Sequence, residues 1–102
     1  MHVLEIETLP ESAIKAAADF YRDILPDLPK AFADHNCVIL QLPKATSDHD
    51  DWRRSAARDV ARAYAPKRFN IIGGGSSGSV SETRAYLETA EAVTGQYLKL
   101  AS

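Results

Sequence analysis

The segment from Gly73 to Ser79, which reads GGGSSGS, contains the residue types that most often bind phosphate groups. Gly73, Gly75 and Gly78 have the spacing G-x-G-x-x-G, in which small residues let a pyrophosphate approach the backbone. The segment also matches most of the phosphate-binding pattern G-x-x-x-x-G-K. Ser76 lies at the centre of G-x-S-x-G, the pattern of a nucleophilic serine. The segment therefore suggests three chemistries: dinucleotide binding, phosphate binding and nucleophilic catalysis.

Each of these motifs lacks a partner that its chemistry requires. In a dinucleotide site an acidic residue at the end of the next strand binds the ribose, but here that strand ends in Lys99-Leu100-Ala101-Ser102. The phosphate-binding pattern has Ser79 in place of its lysine. A nucleophilic serine needs a later acid and a later histidine, whereas all three histidines precede Ser76, namely His2, His35 and His49. None of the three motifs is therefore complete.

Two interpretations of this segment remain open. It is either a permissive turn before a helix, or an anion site in which backbone amides of residues 75–80 and the helix dipole hold a phosphate. The anion site would comprise Gly73, Gly74, Gly75, Ser76, Ser77, Gly78 and Ser79. A minimal enzyme that uses Ser76 or His49 is a third hypothesis.

A second candidate is the cluster Ser47-Asp48-His49-Asp50-Asp51, which combines a histidine with three carboxylates, all of them metal-ligand types. Consecutive residues do not share one face of a helix, and no second cluster completes a metal site. We therefore favour helix capping and complementation of the helix dipole. Further along, Arg54, Arg58 and Arg62 recur every four residues and predict a solvent-exposed helix face.

Short apolar runs alternate with segments of helical periodicity, and these are the elements that must position the candidates. The predicted strands cover residues 2–7, 37–42, 69–72 and 96–100, and the predicted helices cover residues 11–25, 48–65 and 79–93. Crossovers between neighbouring parallel strands are right-handed in nearly all proteins. The order βαβαβαβ therefore predicts a Rossmann-like α/β fold, with a four-stranded parallel sheet and three main helices in one domain, residues 1–102.

The composition of the chain argues against several classes of function. The chain has 12 basic and 14 acidic side chains, for a net charge of −2, which argues against nucleic acid as a partner. No apolar stretch approaches the length of a membrane span, and Met1–Thr8 does not read as a signal peptide. Cys37 is the one cysteine and begins an apolar run, which predicts a small buried side chain in a reducing compartment. We expect a cytoplasmic protein without membrane contact.

The second half of the chain carries a family resemblance. Ala65-Pro66 ends a long helix, a strand with Asn70 runs into glycine, and Val93-Thr94-Gly95-Gln96 joins the last helix to the last strand. This arrangement resembles the C-terminal half of the short-chain dehydrogenase/reductase family. The resemblance implies that Asn70 corresponds to the family's strand asparagine. It also implies that Gly73 and Gly74 lie at the turn that contacts the nicotinamide end of the cofactor.

The chain departs from that family at its catalytic positions. The family's Tyr-x-x-x-Lys pair falls near Thr46 and Asp50, and its catalytic serine falls near Gln41 or Leu42. These side chains do not perform the family's acid–base chemistry. The family's N-terminal half, with its own glycine-rich dinucleotide loop, has no counterpart in the sequence. We therefore expect a truncated, non-catalytic domain without catalytic residues, without a metal and without a bound cofactor such as NAD(P).

The resemblance also implies a mode of assembly. Members of the family dimerise through the two helices that flank the serine-bearing strand, which correspond here to residues 11–25 and 48–65. The expected interface comprises Tyr21, Trp52, Ala56, Val60 and Tyr64. Trp52 is equally consistent with a place in the core. We predict a homodimer or a protein-interaction domain. The alternative is a small nucleotide- or phosphate-binding module that uses Gly73–Ser79.

Overall fold

Four parallel strands form one sheet in the computed structural model, which describes residues 1–101. They are β1 (His2–Glu5), β2 (Cys37–Leu42), β3 (Arg68–Gly73) and β4 (Tyr97–Lys99). Each strand pairs with the next one in chain order, so the sheet order is β1-β2-β3-β4. The predicted α/β architecture is confirmed, and the carboxyl ends of all four strands lie at the same edge of the sheet.

The helical segments connect these strands. They are α1 (Ala13–Asp19), a π-helical turn (Phe20–Ile24), a 3-10 turn (Leu25–Asp27), α2 (Leu28–Asp34), a second 3-10 turn (Ser47–His49), α3 (Asp50–Tyr64) and α4 (Ser77–Thr89). No helix within residues 1–101 has both the length and the apolar character needed to span a bilayer.

Several predicted helix boundaries are wrong, and a serine cap is the local cause of two of them. α1 begins two residues late because Ser12 caps it, accepting a hydrogen bond from Lys15 N at 3.3 Å. α4 begins two residues early because Ser76 caps it in the same way. It also ends at Thr89, four residues before the predicted end. Pro26 lies in the first turn of a helical segment, where its missing N–H breaks no bond, so the helical path continues past it.

Apolar side chains pack on both faces of the sheet. Alternate residues of β2 and β3 contact α1–α3 on one face: Val38, Leu40, Leu42, Phe69 and Ile71. Ile39 and Ile72 point to the other face and pack against Val80 and Leu87 of α4. Cys37 is buried with its thiol free, as the apolar run predicts. The nearly continuous run of β2 therefore reflects a strand covered on both sides.

The connection from β3 to β4 through α4 differs in handedness from the two preceding connections. The chain steps from β2 to β3 with α3 on one face, and from β3 to β4 in the same direction with α4 on the opposite face. The last crossover therefore has the opposite hand to the first two, contrary to the rule from which the topology was predicted. The chain leaves β3 through Gly74 and Gly75, whose φ values of 71° and 90° lie in the left-handed region.

Candidate ligand site at the carboxyl edge of the sheet

A cavity of about 440 Å³ opens at the carboxyl edge of the sheet, where ligands of open α/β sheets usually bind. The loops that follow β1 and β2 and the start of α3 form its wall. Its lining residues are Leu9, Pro10, Glu11, Pro43, Lys44, Ala45, Thr46, His49 and Arg53. Its volume is within the range of small-molecule pockets.

Arg53 is fully buried in the wall of this cavity. Its Nη1 donates a hydrogen bond to the hydroxyl of Tyr97 at 3.2 Å, and the guanidinium carbon lies 5.7 Å from the centre of the Tyr97 ring. The indole ring of Trp52 lies 5.6 Å from the same carbon. Nε and Nη2 are buried and have no hydrogen-bond partner among residues 1–101. A buried guanidinium with two unpartnered nitrogens is energetically costly, so this edge of Arg53 is suited to an anion.

Gly73 leaves space for the side chains of Arg53 and Tyr97. A Cβ atom at Gly73 would lie 2.5 Å from the Tyr97 hydroxyl and 2.9 Å from Arg53 Nη1. Real Cβ atoms do not approach other atoms so closely, so any larger residue displaces one of the two side chains. The first glycine of the motif therefore leaves the space that these two side chains occupy.

The serines of the loop form the cap of α4. Ser76 Oγ accepts a hydrogen bond from Ser79 N at 3.1 Å, and Ser76 O accepts one from Val80 N at 2.9 Å. Two of the amides predicted to hold an anion thus donate within the chain. Ser77 and Gly78 are exposed in the first turn. Anion binding by residues 73–79 stays a prediction.

His49 joins the loop after β1 to the start of α3. Its ring is buried, Nε2 donates to the carbonyl oxygen of Glu11 at 2.7 Å, and Nδ1 accepts from Trp52 Nε1 at 3.2 Å. Since the indole N–H can only donate, these two bonds require the neutral ring with its proton on Nε2. Both ring nitrogens are therefore engaged in hydrogen bonds within the chain.

The acidic cluster around His49 does not form a metal centre in the described part of the chain, where no group of three potential ligands comes together. Side-chain capping is also wrong here, because no side chain caps the 3-10 turn or α3. Asp50 and Asp51 do lie in the first turn of α3, where they complement its dipole. The hydroxyl of Thr46 donates to Asp48 and lowers the pKa of that carboxyl group.

Thr46 and Asp50, at the positions implied for the family's tyrosine and lysine, make other hydrogen bonds. The hydroxyl of Thr46 donates to Asp48. Asp50 Oδ2 accepts a hydrogen bond from Lys99 Nζ of β4 at 3.1 Å. Asn70, the implied counterpart of the family's strand asparagine, is buried and holds the segment after α4. Its Nδ2 donates to Val93 O and its Oδ1 accepts from Gln96 N, both at 3.0 Å.

The five predicted interface residues occupy different environments. Ala56 and Val60 are buried in the chain's own core, so their side chains offer little surface to a partner. Tyr64 is half-buried and stacks on Phe32, with ring centroids 4.1 Å apart. Trp52 is also half-buried and packs against the core. Tyr21 is exposed.

Arg53 is the site residue that the sequence reasoning missed. Arg54, Arg58 and Arg62, which their spacing predicts to be solvent-exposed, are exposed in the structure. Arg53 instead precedes Ala56, Ala57 and Val60 at spacings of three, four and seven, so it lies on the apolar stripe of α3. A charged residue on a buried stripe is the signal that would have identified it.

A parallel sheet with helices on both faces and a crevice at its carboxyl edge defines a Rossmann-like α/β protein. A family model described as short chain dehydrogenase-like protein matches residues 4–100, and the chain belongs to that family. Comparisons with curated proteins and with solved structures found no significant match.

Proposed function

We propose that this chain is a non-catalytic member of its family that acts by assembling into a homodimer through the outer face of α1 and α3. The observation that carries the proposal is the exposure of Ile14 and Tyr21, with 83% and 43% of their surface accessible. They are seven residues apart, two turns along one side of the same helical path. Residues 1–101 contain four large exposed apolar side chains, and two of them share this face.

The neighbouring face of α3 suits close approach of a second helix. α1 and α3 contact each other in the fold, and partial burial together with the negative charge of Asp59 raises the pKa of Tyr21. Ser55 and Ala63 are small and exposed, at spacings of four residues from Asp59. Small residues let helices pack at short interaxial distance. An apolar patch on one helix beside small residues on the other is a self-complementary surface for a twofold dimer.

The chemistry of the catalytic positions supports a non-catalytic role. By resemblance, the family's tyrosine and lysine correspond to Thr46 and Asp50. Asp50 accepts from Lys99, and a carboxylate in place of the lysine has the opposite charge. An aliphatic hydroxyl and a carboxylate do not replace the phenol and the amine that form the family's acid–base pair.

Paired charge substitutions test the proposed face. Tyr21→Glu places a carboxylate in the interface and should convert the dimer to a monomer in sedimentation velocity experiments at high micromolar concentration. Tyr86→Glu makes the same change at an exposed tyrosine of α4 and should leave the dimer intact. Equal sedimentation of both variants and the wild type would rule out this face as the interface.

A further inference from the structure

The buried edge of Arg53 has no role in the proposed assembly, and its geometry selects a ligand class. Nε–H and one N–H of Nη2 point in parallel from one side of the guanidinium group, and these are the two nitrogens without a partner among residues 1–101. Parallel donors on one edge match the two oxygens of a carboxylate or phosphate in a bidentate pair. The third nitrogen, Nη1, is fixed by Tyr97, so the group is oriented before any ligand arrives.

The lining of the cavity sets a second requirement on the ligand. Four of its lining residues are apolar: Leu9, Pro10, Pro43 and Ala45. Lys44 and Thr46 lie at its exposed rim, and Glu11 is its only acidic lining residue, with its backbone carbonyl bonded to His49. A fully hydrated inorganic anion would leave this apolar wall without a partner. A carboxylate with an apolar body satisfies both Arg53 and the wall.

We propose that this cavity binds a small carboxylic acid with an apolar body, whose carboxylate forms a bidentate pair with Arg53 Nε and Nη2. The apolar body lies against Leu9, Pro10, Pro43 and Ala45, and the ammonium group of Lys44 adds a favourable charge at the entrance. This site is separate from residues 73–79, whose serines form the cap of α4, and it makes no use of the homodimer.

Thermal shift and NMR titration with defined probes test the proposal. Hexanoate and benzoate should raise the melting temperature and shift the single indole N–H resonance of Trp52, because its ring contacts Arg53. The neutral analogues hexanamide and benzamide should have no such effect, and inorganic phosphate should bind at least tenfold more weakly than hexanoate. Absence of any response to the carboxylates overturns the proposal. Phosphate binding as tight as hexanoate overturns the assignment to carboxylic acids.

Two variants assign the binding to this cavity. Arg53→Met keeps an unbranched side chain, which is shorter, and removes the guanidinium group. It should weaken hexanoate binding about 10- to 100-fold while the protein stays folded by circular dichroism. Lys44→Glu changes the charge at the entrance and should weaken binding severalfold. Lys30→Glu makes the same change at an exposed position of α2 outside the cavity and should have no effect. If Arg53→Met does not fold, the comparison of Lys44→Glu with Lys30→Glu still tests the site. Equal hexanoate binding by these two variants would contradict the proposal.

Discussion

The guanidinium group of Arg53 donates to the hydroxyl of Tyr97, so α3 is bonded to the edge strand β4 across 44 positions of the chain. β4 has three residues and pairs only with β3 in the described structure, so this bond adds a side-chain attachment to the backbone pairing. The contact therefore joins the last strand to the wall of the cavity.

Removing this hydroxyl should destabilise the fold. Tyr97→Phe leaves Arg53 Nη1 buried without a partner, and we expect a loss of about 1–3 kcal/mol in the free energy of unfolding measured with urea. Tyr64→Phe is the matched control, since Tyr64 contributes its ring by stacking on Phe32. It should change stability by about 0.5 kcal/mol or less. Equal effects of the two substitutions would show that the Tyr97 hydroxyl is unimportant.

The glycines of the loop should differ in their tolerance of alanine. Gly73→Ala forces a Cβ against Tyr97 and Arg53, and we expect a loss of about 1–3 kcal/mol. Gly78→Ala meets nothing closer than 4.0 Å, lies in α4 and has no positive φ, so it should be neutral or stabilise by up to about 1 kcal/mol. Chemical denaturation of both variants checks the prediction, which fails if Gly78→Ala is the more damaging.

His49 should be a structural residue. His49→Leu removes the bonds to Glu11 and Trp52, and we expect about 1–3 kcal/mol of destabilisation together with a change in the emission of the single tryptophan. His35→Leu, at a half-buried position on the opposite end of the sheet, serves as the control and should leave the emission unchanged. Unaltered emission in His49→Leu would contradict the indole hydrogen bond.

The phenol of Tyr21 should titrate above the ordinary range. Partial burial, and in second place the negative charge of Asp59, raise the pKa of Tyr21. Because the folded pKa lies above the unfolded value of about 10, the contribution of Tyr21 to stability is full below that pH and is lost as the pH rises past it. Ultraviolet titration against Tyr21→Phe should show the raised pKa, and Asp59→Asn should lower it. An unchanged Tyr21 titration in Asp59→Asn contradicts the proximity of these residues.

Periodicity was sufficient to predict the sheet, since the runs of β2 and β3 are apolar on both faces and a helix pattern separates each pair of strands. Boundaries were less predictable because the caps at Ser12 and Ser76 shift the starts of α1 and α4 by two residues from the predicted positions. The face on which α4 packs was not predictable, because right-handed crossovers would place α4 on the same face as α3.

The candidate site was predictable only in its location. The glycine-rich loop predicted a site at the carboxyl edge of the sheet. The side chain with unpartnered nitrogens at that edge is Arg53 of α3. Its environment depends on Tyr97, which is far away in sequence. Likewise, the predicted interface included Ala56 and Val60, whose burial follows from their contacts with the core. The apolar stripe of α3 indicates that Arg53, Ala56 and Val60 are buried, but their contacts with distant segments are not encoded in local sequence.

Sedimentation equilibrium of the wild-type chain over a range of concentrations tests the central proposal of self-association most directly. The exposed face of Ile14 and Tyr21 predicts a reversible monomer–dimer equilibrium, with a mass that approaches twice the 11.2 kDa of the chain at high micromolar concentration. A mass of 11.2 kDa at every concentration would contradict the proposal.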